Sequence, residues 1–251
     1  MWQPYRDLRK LWFKDAVLAR RSTLILLAPG LAVGVTLTFV AIVPNIVSTD
    51  VAAWQIDAIA LALLLALGRF VLVLAALDTG SAFEGMAAGR EIAFASLTEA
   101  PLILALIGSA FLADGRLSHG SGGLWAAALS AGALLLVMLS ETARIPVDNQ
   151  ETHYELTMIH EGLVLEYSGW QLAALQYAAY LRQAAFFVLA ALLMPGNGLA
   201  TLGWIATFSG VIVCIETVYA KLRVFEVPQI FASALVLAFA SIGVRLAEII
   251  R

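Results

Sequence analysis

Charged residues are scarce in this 251-residue chain: Asp, Glu, Lys and Arg make up 13% of it, against about 25% in an ordinary soluble domain. Hydrophobic residues reach 61%, more than one water-facing core can hide, which excludes a soluble globular enzyme. Cysteine occurs once, at Cys214. That excludes a disulfide framework and any Cys-ligated zinc or iron–sulfur centre, which need about four ligands. His119, His153 and His160 are too few and too scattered for haem or a di-metal centre. The net charge of −3 lacks the basic footprint of a nucleic-acid binder. There is no internal repeat, no low-complexity stretch and no GxxxxGKS/T phosphate loop, and no Ser/His/Asp or Cys/His arrangement can be argued. What remains is an integral membrane protein.

Long apolar runs are what the chain does have. A bilayer offers the backbone no water, so each crossing takes ~20 mainly apolar residues in a helix. Seven segments have that length: 22–47, 56–77, 92–113, 122–140, 171–194, 199–220 and 230–247. They predict an all-α integral membrane protein with about seven transmembrane helices. Pro195-Gly196-Asn197-Gly198 breaks the charge-free run from Gln183 to Ile215 into two spans. The first span is too long for a signal-peptide core and lacks a small-residue cleavage site, so it reads as retained. Residues 1–21 form a basic, amphipathic cytoplasmic segment, and residues 22–251 form a single bundle with a long acidic cytoplasmic loop, 141–170.

Ten of the fifteen Lys and Arg residues fall on one side: Arg6, Arg9, Lys10, Lys14, Arg20, Arg21, Arg90, Arg144, Lys221 and Arg223. Only Arg116, Arg245 and Arg251 fall on the other. The positive-inside rule then places the N-terminus and loops 78–91, 141–170 and 221–229 in the cytoplasm; the membrane expected is the cell's inner (plasma) membrane.

The outer loops are short, so function is expected on the inner face. Loop 141–170 holds six of the eighteen acids. Pro146 ends one helix. Asp148 and Glu151 have capping-box spacing, which predicts a helix from about Asn149 with Gly169 as its terminator. On that helix Glu151 and Glu155 share a face, and each favours the protonated form of the other. Such a cluster can hold and pass protons, although a solvated acidic loop has the same spacing. Arg69, Glu99, Arg182 and Glu216 interrupt apolar spans, where a charge costs ~2.5–3.5 kcal/mol, and Glu141 ends the fourth span. Pro101, just after Glu99, frees a backbone carbonyl and can open a kink for water. These groups mark an ion or proton route by default, with Arg69 and Arg182 reading as structural partners. Gly85 and Gly89 permit tight turning in the inner loop before Arg90-Glu91. His153 and His160 read as surface residues, although their spacing of seven also suits a relay.

The run Glu141-Thr-Ala-Arg-Ile-Pro-Val-Asp148, then Glu151-Thr-His-Tyr-Glu-Leu-Thr-Met-Ile-His-Glu161 and Leu165-Glu-Tyr-Ser-Gly169, closely resembles one family. It is similar to the membrane-anchor subunit of formate hydrogenlyase and hydrogenase-4, among the energy-converting nickel–iron (NiFe) hydrogenases, a relative of subunit 1 of respiratory complex I. Gln3-Pro-Tyr-Arg-Asp-Leu-Arg-Lys-Leu11, Asp78-Thr-Gly80, Arg90-Glu91 with Glu99-Ala-Pro101, and Glu216 with Ala220-Lys-Leu-Arg223 and Val227-Pro228 support it.

The resemblance implies that Arg90, Arg144, Asp148, Glu151, Glu155, Glu161 and Glu166 belong to a chamber-facing or docking loop. Glu99, Glu141 and Glu216 would form an acidic path into the membrane. It places no cofactor in this chain. NiFe and iron–sulfur centres would sit in hydrogenase-like large and small subunits docked on the cytoplasmic face, beside antiporter-like membrane subunits. A quinone-chamber subunit of a complex I-like NADH dehydrogenase is the alternative. Relatives usually carry one more span before the Gln-Pro-Tyr-Arg motif. Glu84 and Ala87 stand where the resemblance leads one to expect glycines, Val147 where an aromatic is expected, and Glu226 and Gln229 where a basic and an acidic residue are. A free-standing transporter would be expected to carry internal repeats, and a passive scaffold would not need its buried acids.

Overall fold

In lipid, a helix satisfies every backbone N–H and C=O within its own segment, and the apolar runs take that form. The computed structural model describes residues 3–17, 23–47, 58–112, 121–148, 158–196 and 198–250. Its α-helices run α1 (Gln3–Trp12), α2 (Leu24–Val47), α3 (Ala58–Asp78), α4 (Ala82–Leu112), α5 (Ser121–Glu141), α6 (Gly169–Leu192), α7 (Gly198–Val218) and α8 (Val227–Ile250). No strand occurs among the described residues. Six helices (α2, α3, α5, α6, α7 and α8) are long and apolar enough to cross a membrane. The remaining predicted span, 92–113, falls in the apolar part of α4. The chain is an all-helical, multi-pass membrane protein.

The centre of the bundle is α5, packed against α8, α4 and α6, while α2 packs on α3 and α6. About 61% of the α5 span is buried, against 11% for α7, which packs chiefly on α6. On α3, Leu63, Leu67, Phe70, Leu74 and Leu77 are exposed at helical spacing, and Leu65, Arg69, Leu72, Val73 and Ala76 are buried. An exposed apolar stripe suits lipid, and the buried stripe carries one charge into the protein interior.

Three local expectations are corrected. The inner loop 78–91 shrinks to a turn at Thr79–Ser81, because α4 already starts at Ala82. Gly80 supplies the positive φ (71°) that this turn requires. Gly169 terminates no helix. It opens α6 at φ 57°, and a Cβ there would lie 2.5 Å from the Lys14 carbonyl oxygen. Of the helix predicted from Asn149, residues 149–157, including Glu151, His153 and Glu155, lie outside the described residues. The segment from Met158 to Ser168 holds only a 3₁₀ turn, Glu161–Val164.

Side chains pin the turns. Asp78 accepts hydrogen bonds from the Thr23 and Leu24 amides (3.0 and 3.1 Å), capping α2 from the end of α3. The Ser168 hydroxyl accepts from the Val17 amide and donates to its carbonyl (2.7 and 2.9 Å), holding the segment after α1 against the start of α6.

Candidate functional site

The buried charges converge where α3, α4, α5 and α6 meet. Arg69 sits on the buried stripe of α3, Glu91 on the buried face of α4, Glu141 at the end of α5 and Arg182 midway along α6. Gly68 leaves room beside them, since a Cβ there would approach Val35 at 3.1 Å and Arg182 at 4.0 Å. The Arg69 guanidinium donates to Glu141 and reaches Glu91 at 3.5 Å and Glu99 at 3.7 Å. Arg182 lies 3.9 Å from the other Glu141 carboxylate oxygen and donates to the Glu141 carbonyl at 3.3 Å. Arg69, Glu91, Glu141 and Arg182 are all buried, two positive against two negative, while the Glu99 side chain keeps 43% of its surface exposed. Opposite signs in this number are what allow four charges to leave water together.

His160 lies at one edge of the cluster, its Nδ1 3.9 Å from Glu91. Burial disfavours the imidazolium, but the Glu91 carboxylate beside it prevails and raises its pKa above the usual 6.5. His160 also lines a narrow cleft with Glu161, Val164, Leu172, Gln176 and Tyr180. From that cleft, ion pairs run through Glu91 and Arg69 to Glu141 and Glu99.

Two further sites brace the same face. Asp148 is fully buried; one carboxylate oxygen accepts the Ile159 and His160 amides (3.0 and 3.1 Å) and the other pairs with Lys221 at 2.7 Å. Leu222 donates to the Pro146 carbonyl at 2.9 Å, and Arg90 donates to the Met158 carbonyl at 2.8 Å. The α7–α8 loop, the end of α5 and the segment before the 3₁₀ turn are thereby tied together. Arg144 pairs with Glu216 at 3.6 Å, donates to Gln183 at 2.9 Å and lies over the Tyr180 ring.

Of the expected acidic path, Glu99 and Glu141 therefore share Arg69, whereas Glu216 belongs to the Arg144 group. Of the expected docking residues, Glu161 lines the cleft, Glu166 is exposed, Arg90 and Asp148 hold loops, and Glu151 and Glu155 lie outside the described residues. Arg69 and Arg182 pair with Glu141 as the structural partners expected. His160 faces Glu91 and is no open surface residue, and Glu91 and Lys221 are the two the sequence reading missed. One signal was available: Glu84, Glu91 and Glu99 recur at seven and eight residues, two helical turns, and so share one side of α4.

The fold and these charges define a multi-pass helical membrane protein whose buried ion cluster opens toward one end of the bundle. Residues 1–245 match the family described as NADH dehydrogenase, and the chain belongs to that family. It is 34% identical over 207 residues to hydrogenase-4 component C of Escherichia coli (strain K12), covering 78% of this chain and 64% of that protein. It is 30% identical over 191 residues to formate hydrogenlyase subunit 4 of the same organism, covering 72% and 61%. The chain thus spans a little under two thirds of the length of these relatives. A structure of the membrane-bound sulfane sulfur reductase, an archaeal respiratory membrane complex, superposes with a TM-score of 0.72 at 17% identity, over 96% of this chain and 85% of that one. That likeness is one of fold.

Proposed function

We propose that this chain is the membrane-embedded anchor and proton- or ion-coupling subunit of a hydrogenase-type complex. The observation that carries the reading is the run of ionisable groups from the His160 cleft through Glu91 and Arg69 to Glu141 and Glu99. The relatives, hydrogenase-4 component C and formate hydrogenlyase subunit 4, support it. In this reading the His160 face is cytoplasmic, as is the N-terminus, and the bundle sits in the inner membrane. Hydrogenase-like large and small iron–sulfur subunits dock on the cytoplasmic face, and antiporter-like subunits lie beside the bundle. In this reading, nickel–iron and iron–sulfur chemistry belongs to the docked subunits.

An electron arriving in a docked subunit ~10 Å away shifts the energy of a charge by ~1.7 kcal/mol at an effective dielectric of ~20. That is roughly one pKa unit, enough to bias proton uptake at the cluster without driving it alone. The alternative is a quinone chamber on the same face, as in a complex I-like NADH dehydrogenase. The test is Glu141→Gln in the assembled complex. Assembly should persist and redox-linked proton uptake should be lost; unchanged uptake removes Glu141 from the path. Quinone-dependent turnover by the purified complex would favour the alternative.

A further inference from the structure

Outside the arginine cluster lies a buried carboxyl with no ion pair among the described residues. Glu84, in the first turn of α4 and more than two turns before the apolar part of that helix, is fully buried. One carboxyl oxygen accepts the Glu166 amide at 3.0 Å, and the other is hydrogen-bonded to the Thr79 hydroxyl. The titratable groups facing it are Glu166, whose charge repels a carboxylate, and Tyr167, whose buried hydroxyl has no hydrogen-bond partner.

A threonine with two acceptors beside it can donate to only one of them. A threonine hydroxyl has one proton and two lone pairs. Thr79 donates to the Ala76 carbonyl at 2.7 Å, one of the last-turn carbonyls of α3 that a helix leaves unpaired. It also accepts the Ser81 amide at 3.2 Å. Its proton is committed to Ala76 and one lone pair to Ser81. The remaining lone pair is open to a donor, and the group opposite is Glu84. A protonated Glu84 satisfies every atom in this turn, whereas a carboxylate would strip Ala76 of its partner or face the Thr79 lone pair.

We propose that Glu84 is a proton-binding site: its carboxyl is neutral at physiological pH, donates its O–H to Thr79 and accepts the Glu166 amide, latching the α3–α4 turn to the segment before α6. Burial works in the same direction, raising the Glu84 carboxyl above its usual range against the pull of its two hydrogen bonds. When the site ionises, its proton leaves to water. Thr79 must then turn its hydroxyl from Ala76 to the carboxylate, and the repulsion from Glu166 loosens the latch.

Glu84→Gln is the diagnostic variant, because its amide N–H₂ can donate to Thr79 and its oxygen can accept from Glu166, reproducing the neutral acid. With the full-length chain in its complex in lipid nanodiscs, wild type minus Glu84→Gln infrared spectra at neutral pH should contain a protonated-carboxyl C=O band. Thr79→Val should shift that band to higher frequency. A carboxyl proton held more tightly folded than unfolded loses its stabilisation as pH rises above the ordinary carboxylate pKa. The wild-type melting temperature should therefore fall relative to Glu84→Gln as pH rises from the ordinary carboxylate range through the raised folded-state pKa. The proposal is overturned by a difference spectrum showing only carboxylate bands, by a band that Thr79→Val leaves in place, or by a Glu84→Gln deficit constant across that pH range.

Discussion

Arg69 is the residue on which the buried cluster depends, and its removal gives the most searching test. It touches Glu141 directly and lies 3.5 Å from Glu91 and 3.7 Å from Glu99. At an effective dielectric of ~20, a pair of unit charges 3.5 Å apart attracts by about 5 kcal/mol. Desolvation offsets much of this, but that cost remains for the partners when Arg69 is lost. Arg69→Met leaves two buried carboxylates facing Arg182, with His160 beside Glu91 alone, and breaking such a cluster costs about 3–5 kcal/mol. Adding Glu141→Gln removes one negative charge and restores the balance of signs. The double variant should therefore recover roughly half or more of the lost stability, a coupling that a double-mutant cycle measures directly. Thermal unfolding of the complex in nanodiscs, with all four chains of the cycle measured side by side, reads this out. Strictly additive effects would refute the reasoning, because they would mean that Arg69 and Glu141 stabilise the bundle independently.

Other outcomes follow from the same geometry. Asp148→Ala strands two amides and the Lys221 ammonium and should cost about 3–5 kcal/mol; Lys221→Met, which leaves both amide bonds in place, should cost less, as unfolding in the same assay would measure. A Cβ on Gly162 would run into that of Ala87, so Gly162→Ala should lower the melting temperature, and pairing it with Ala87→Gly should restore most of the loss. His160, faced by Glu91, Glu161 and Arg182, has a raised pKa, so its stabilising contribution is complete below about pH 6.5 and fades as pH rises through the raised value; His160→Gln should flatten that part of the stability profile.

The helices were legible because lipid leaves the backbone few choices, and apolar runs of sufficient length announce themselves. Boundaries on the inner face were not, because polar α4 residues such as Glu84 and Arg90 look like loop residues until Ala87 and Ala88 are seen packed against the core. Glu99 and Glu141 were found as charges out of place in apolar surroundings. Their partners were harder to rank: Arg69 and Arg182 stand out equally in the sequence, but pairing across 72 or 41 residues is decided by packing. Glu91 sat just outside a predicted span and attracted no notice as an intramembrane charge. His160 is unremarkable in a linear reading and acquires meaning only from the carboxylate 3.9 Å away. Gly169 has the residue type of a helix stop, but the Lys14 backbone passing beside it explains the glycine better.

Arg69 stands between the histidine edge of the ion cluster and the half-exposed Glu99. A guanidinium does not surrender its proton at any pH a cell meets, so no hydron can hop through it from one carboxylate to the next. In the proposed reading, proton coupling across this point would have to detour through solvent or be transmitted as a change in electric field, with uptake at one rim answered by release at the other. With a permanently charged side chain in the middle, the proposed coupling would make the two rims behave like the ends of a seesaw.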